Sequence, residues 1–315
     1  MGNSALSEIR RAEQWRGINE FYRDFGKTIE KKPEEVQRKF YEYIPKCSQK
    51  FYDEYEVEAQ IGTSISLVVD KFLTSEHFSK KSKEEQDAFR AMLKLLTPEV
   101  MYAYACHEAA WGGTPEEKIE YMRQMIKKHG ELFLVARPSI HDKLFSVGMF
   151  QLTEDVAKDI YEFAEKLNND PNNKRDKDKI WLPGEELKWY SELKEHTTAA
   201  AVLALLNIGI IIREARKKNL LKKLLRMLES EKATNKGTFM AGLLGAMHHK
   251  RTNYKKALLF IDKGNHNGDL AKNALATSFS GEERHYFSEA SEIHRQLYLT
   301  SIVRKLGDTE NVVQK

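Results

Sequence analysis

Apolar positions recur at spacings of three and four along nearly the whole chain, the period of helices that bury one face. Over residues 5–30 the series is Trp15, Ile18, Phe21, Tyr22 and Phe25. Over 34–56 it is Val36, Phe40, Tyr43 and Ile44, and charged residues fill the positions between. The spacing predicts amphipathic helices in both stretches. Pro33-Glu34-Glu35 marks the start of the second, because Pro is preorganised for a first helical turn and acids favour the N-terminal dipole. The same signal recurs at Thr97-Pro98-Glu99 and Thr114-Pro115-Glu116-Glu117, with a Thr placed to cap each. Further helices are predicted over 197–218, 219–230, 237–250, 252–264 and 282–306.

Three stretches break the helical pattern. Residues 132–136 and Phe145 to Leu152 are short apolar runs that read as extended. Asn168 to Lys179 offers no side chain suited to a core and reads as an exposed loop. The apolar run Ala199 to Ile212 is fourteen residues long and contains Asn207 and Gly209. A membrane span needs roughly 20, so this run reads as a buried core helix and no transmembrane segment is expected. No repeat recurs at a fixed period. The expectation is a mainly α protein with a boundary near residue 90. Residues 1–90 form a polar, aromatic-rich helical region, and residues 91–315 hold every candidate motif.

Composition narrows the class. The chain has 315 residues, 41% hydrophobic and 31% charged, enough to build a sizeable core and too apolar for wholesale disorder. Two cysteines, Cys47 and Cys106, exclude a disulfide framework and an all-cysteine zinc module, and both read as packed thiols. The 51 Lys and Arg against 47 Asp and Glu give a net charge of +4. That balance carries no nucleic-acid footprint and suits a weakly anionic surface such as a cell wall. Residues 1–30 contain no secretory signal, and Met1-Gly2-Asn3-Ser4-Ala5-Leu6 lacks the Ser or Thr of a myristoylation site.

Most familiar chemistries are missing. His107-Glu108 lacks the second histidine of a zinc protease helix, since position 111 is Trp111. Glu282-x-x-His285 is a single copy of a pattern that di-iron sites use twice. His248 and His249 are adjacent, point in different directions on a helix, and read as surface histidines. Gly237, Gly242 and Gly245 build no phosphate loop, and no Gly-x-Ser-x-Gly elbow is present. No metal and no organic cofactor are expected. What remains is Glu108, at the end of the apolar, small-residue segment Tyr102-Ala103-Tyr104-Ala105-Cys106-His107 and followed by Ala109-Ala110-Trp111. Desolvation there would raise a carboxyl pKa and keep it protonated near neutrality, which a general acid for glycosidic cleavage requires.

Downstream of Glu108 lie Ser146-Val147-Gly148-Met149-Phe150-Gln151, then Ala204-Leu205-Leu206-Asn207-Ile208-Gly209, then Gly281-Glu282-Glu283-Arg284-His285-Tyr286. In this order, over residues 95 to 300, the set resembles the lytic transglycosylase branch of the lysozyme-like superfamily. That family has a catalytic Glu at a helix end, a Gly-Leu-Met-Gln loop, an Ala-Tyr-Asn-Ala-Gly helix and a Glu-Thr-Arg-x-Tyr segment. The sequence departs from the pattern with Ala109 in place of a Ser, Leu206 in place of a Tyr, and an insertion around 113–140. The resemblance implies a lysozyme-like catalytic domain with additional N-terminal helices. Glu108 would be catalytic, and Ser146, Gly148, Gln151, Asn207, Glu282 and Tyr286 would bind substrate. The implied substrate is the β-1,4 bond between N-acetylmuramic acid and N-acetylglucosamine in peptidoglycan, in the periplasm or at the cell wall, for a bacterial or phage protein. Asp142 is the best candidate to position water if the enzyme is instead a hydrolase of the goose-type lysozyme kind. A helical scaffold in which Glu108 is incidental is the alternative from another class. Aromatics left over from the N-terminal helix faces, such as one each of Phe40-Tyr41 and Phe51-Tyr52, offer a surface to a protein or glycan-strand partner.

Overall fold

The computed structural model describes residues 34, 52–109, 113–129, 137–138, 145–173, 179–180, 193–249, 251–263, 270–277, 279 and 281–313. Within them the protein is mainly α. The first helix, α1 (Glu54–Thr74), starts where Asp53 adopts an extended backbone. The Asp53 carboxylate accepts the Glu56 N–H at 2.7 Å, and Glu56 accepts the Asp53 N–H at 3.0 Å. This reciprocal cap satisfies two amides that a helix start leaves without partners. A helix starts at Glu54 within the stretch expected as one helix over 34–56, of which residues 35–51 lie outside the described residues. A short α2 (Glu76–Ser79) follows, then α3 (Lys83–Leu93), whose Ser82 and Glu85 form a second capping box.

The two Thr-Pro signals begin helices as expected, α4 (Pro98–Ala109) and α5 (Pro115–His129). The Thr97 hydroxyl accepts the Val100 N–H, and the Thr114 hydroxyl accepts the Glu117 N–H. After α5 comes a small antiparallel sheet in the order β1 (Arg137–Pro138), β2 (Phe145–Val147), β3 (Leu152–Thr153), with Ser146 paired to Arg137 on one side and Thr153 on the other. The run Phe145 to Leu152 is therefore not one extended segment. Gly148–Gln151 form a turn between two strands. Then come α6 (Glu154–Asn168), α7 (Leu193–Lys217), α8 (Leu221–Ser230), α9 (Ala233–His249), a 3-10 turn (Arg251–Asn253), α10 (Tyr254–Lys263), α11 (Leu270–Thr277) and α12 (Glu282–Val313). Helices α2, α3, α6 and α11 match none of the ranges expected individually.

Helix α7 is apolar and long enough to cross a membrane by length and composition, and most of that stretch is buried in the protein. It packs against α1, α3, α6 and α10. Helices α9 and α12 form the most extensive pair, and α4 lies against both of them and against α1 and α5. The core is one continuous cluster from Val57 to Leu297. Val57, Ile61, Val68, Phe72, Ala88 and Phe89 belong to it, so no break in the core falls near residue 90.

The polar stretch after α6 is not simply an exposed loop. Asp170 and Asn173 are buried. Asp170 accepts the Glu76 N–H at 2.9 Å and the His77 N–H at 3.3 Å. The Asn173 amide donates to the carbonyls of Lys71 and Leu167, 2.9 Å each. These residues pin the α1–α2 junction to the end of α6, and satisfied backbone groups are what make polar side chains acceptable there.

Candidate functional site

Glu108 ends α4 and is 7% exposed. Ten consecutive residues, Val100 to Ala109, are buried, because α4 is covered by α12, α9, α1 and α5 on different sides. A carboxylate in such a place must find polar partners inside the protein. One oxygen, Oε2, lies 3.4 Å from His248 Nε2, and the other, Oε1, lies 3.5 Å from His107 Nε2. Each imidazole is held from behind. The Tyr104 hydroxyl, one helical turn before Glu108, hydrogen-bonds His248 Nδ1 and sets its ring edge-on to the histidine. His107 Nδ1 hydrogen-bonds the Glu289 carboxylate of α12, which also takes the Lys118 ammonium of α5 at 2.9 Å.

The environment moves the titration of these groups. Burial, and then the charge of Glu108, push the Tyr104 hydroxyl well above the usual phenol range, so it stays protonated. Burial works to raise the Glu289 carboxyl, but hydrogen bonds and charge from His107 and Lys118 outweigh it and hold the group below the usual range. Tyr286, half-buried on α12 with its ring 5.5 Å from that of His107, is raised by burial and by the charges of Glu282, Glu108 and Glu289. Glu282 is exposed, the first residue of α12, preceded by Gly281 at φ +60°.

The turn after β2 meets the same helix. The Phe150 ring sits 5.6 Å from that of Tyr104. Gly148 has φ +72°, and a Cβ there would run into the His196 imidazole at the start of α7. Only glycine satisfies both demands at once. Gln151, also left-handed at φ +47°, is buried and donates its amide to the Gly148 carbonyl at 2.6 Å. The Nε2 of Gln151 therefore closes the turn. Ser146 occupies the middle strand of the sheet.

Helix α4 thus touches the Gly148–Gln151 turn through Tyr104 and Phe150, and the start of α12 through His107 and Tyr286. Asn207 is buried in mid-α7, its Oδ1 without a hydrogen-bond partner among the described residues. The polar side chain facing Glu108 from a neighbouring helix is His248, which is no surface residue: its side chain is 9% exposed. His248, Tyr104, His107, Glu289 and Lys118 are the site residues that sequence reasoning missed. Tyr104 was signalled by its i, i+4 relation to Glu108. Asp142, Trp111, Cys47 and the N-terminal aromatics before Tyr52 lie outside the described residues. Cys106 is buried as a free thiol. Among the described residues no group of three or more His, Cys, Asp or Glu side chains is arranged to hold a metal ion. Neither a family model, nor a curated protein, nor a solved structure matches this chain.

Proposed function

We propose that this chain is a lytic transglycosylase of lysozyme-like build, cleaving the bond between N-acetylmuramic acid and N-acetylglucosamine in peptidoglycan with Glu108 as its acid and base. The observation that carries this is that the helix ending in the buried Glu108 touches, in sequence order, a glycine turn in a small antiparallel sheet, through Tyr104 and Phe150, and the start of α12, through His107 and Tyr286. A buried general acid needs a proton kept in the site. Among the described residues the cluster holds two carboxylates, Glu108 and Glu289, and one ammonium, Lys118, which Glu289 engages. Burying a further negative charge is costly, so a proton held by Glu108 or by an imidazole against it balances the cluster.

Glu108 would donate that proton to the glycosidic oxygen as the C1–O bond breaks. The resulting carboxylate would then take the proton of the muramoyl C6 hydroxyl while that oxygen attacks C1. A 1,6-anhydro sugar forms, Glu108 is reprotonated and no water is consumed. The substrate places the protein in the periplasm or at the cell wall.

Glu108→Gln tests the assignment. The variant is expected to fold and to lose turnover on purified peptidoglycan by about 10²–10⁴, the usual contribution of a general acid–base group. Normal turnover would refute the role of Glu108. Mass spectrometry of the products is expected to show anhydromuropeptides, lighter by one water than hydrolysis products. Reducing ends alone would assign hydrolysis instead and make Asp142→Asn the next variant.

A further inference from the structure

We infer that His248 is a positioning residue for Glu108: Tyr104 fixes its tautomer, and its Nε2–H is aimed at the Glu108 carboxylate. The inference rests on the proposed lytic reaction for its catalytic meaning, but its geometry is independent of substrate. Three side chains from two helices stand in line, Tyr104 Oη to His248 Nδ1, and His248 Nε2 to Glu108 Oε2 at 3.4 Å. We take the protonated phenol as the donor to Nδ1. The neutral imidazole then carries its hydrogen on Nε2, the nitrogen that faces Glu108. Tyr104 and Glu108 share one face of α4, and His248 comes from the last turn of α9, so the line is built by the packing of those two helices. A second imidazole, His107, faces the other oxygen but is committed through Nδ1 to Glu289.

A donor aimed at the ionised carboxylate favours the base half of the cycle. It also keeps the carboxylate from swinging, because both oxygens are bracketed by rings. The charged and titratable groups of the surrounding elements include Tyr104, His107 and Glu108 on α4, Lys118 on α5, Glu282, Glu283, His285, Tyr286 and Glu289 on α12, and the buried Glu195 and His196 on α7. The 3-10 turn adds Arg251, paired with Asp159 of α6, and α11 adds only the exposed Lys272.

The test uses the full-length protein labelled with nitrogen-15 at its histidines, with the His248 signal assigned from the His248→Gln variant. In the wild type the neutral His248 is expected to carry its proton on Nε2. In Glu108→Gln its titration midpoint is expected to fall by about one pH unit, because a nearby carboxylate no longer favours the imidazolium. An Nδ1–H tautomer, or a midpoint unchanged in Glu108→Gln, would overturn the proposal. A second arm reads activity. His248→Phe removes the donor and is expected to move the alkaline limb of kcat up by about one pH unit with KM unchanged. His248→Gln, which returns an N–H, is expected to move it part of the way back. A uniform loss of kcat with an unmoved limb would mean that His248 only packs there, and would overturn the proposal. If the wild type cleaves no peptidoglycan, the lytic assignment fails while the labelled histidine still decides the tautomer and the contact.

Discussion

At the scale of single residues, burial decides which polar groups carry pH dependence. His294 of α12 is 2% exposed, its Nδ1 is 3.1 Å from the Thr238 hydroxyl, and burial lowers its pKa from 6.5 to about 4 despite the opposing charge of Glu99. A folded-state pKa below the unfolded one means that the unfolded chain binds the extra proton first. Stability is therefore full above pH 6.5 and falls as pH drops through the window from 6.5 towards 4. Between pH 7 and pH 5 the loss from this residue should be about 2 kcal/mol, before most carboxylates titrate. Urea unfolding at the two pH values measures it, and His294→Gln should flatten the difference. An equal pH dependence in the variant would show that other groups set it. The same burial made Glu108 legible from sequence, since the small and apolar residues Tyr102 to Cys106 and Ala109 around it leave that helix end little wet surface. His248 was not legible. Its helix is buried at Ala241, Leu243, Leu244, Ala246 and Met247 alike, so no polar stripe indicates which way an adjacent histidine points.

At the scale of elements, helix starts were readable because capping is local chemistry, as the hydroxyls of Thr97 and Thr114 show. Helix partners were not, because they depend on which surfaces come close. The glycines separate the two cases. On α9, a Cβ on Gly242 would meet the Ser291 hydroxyl and would lie 2.9 Å from the Phe287 carbonyl of α12. On α7, a Cβ on Gly209 would lie 3.8 Å from the Phe89 ring, an ordinary contact. Alanine gains about 1 kcal/mol over glycine in a helix, whereas forcing atoms into a tight interface costs typically 1–3 kcal/mol. Gly209→Ala should therefore stabilise the protein by up to about 1 kcal/mol. Gly242→Ala should destabilise it by about 1–2 kcal/mol, since backbone cannot give way as a side chain can. Thermal melts of the two variants should move in opposite directions. The resemblance that placed Asn207 and Gly209 in a substrate motif rested on short motifs and their order along the chain, which do not say how a helix is turned in the packed protein.

At the scale of the whole molecule, the question is whether residues before 90 can be removed. Their composition, rich in charge and aromatics, reads as a region apart, and periodicity alone cannot tell a face buried against its own neighbours from one buried against a distant helix. The structure places Val57, Ile61, Ile65, Val68, Phe72, Phe78, Ala88 and Phe89 in the common core. Helix α1 lies along α7, with the Ser64 hydroxyl 2.7 Å from that of Thr197, and Arg123 of α5 reaches back to Glu54 at 3.0 Å. Fully burying one large apolar side chain contributes about 1.5–3 kcal/mol. Losing seven of that size would forfeit on the order of 10 kcal/mol or more, comparable to the entire net stability of a typical domain, about 5–15 kcal/mol. A fragment beginning at residue 90 would also expose the buried flank of α7, whose apolar length invites aggregation. That fragment should be recovered insoluble, or should lack a cooperative unfolding transition by circular dichroism. A soluble fragment that melts cooperatively and keeps the activity of the full chain would instead establish residues 91–315 as an independent unit, with α1, α2 and most of α3 as an added layer.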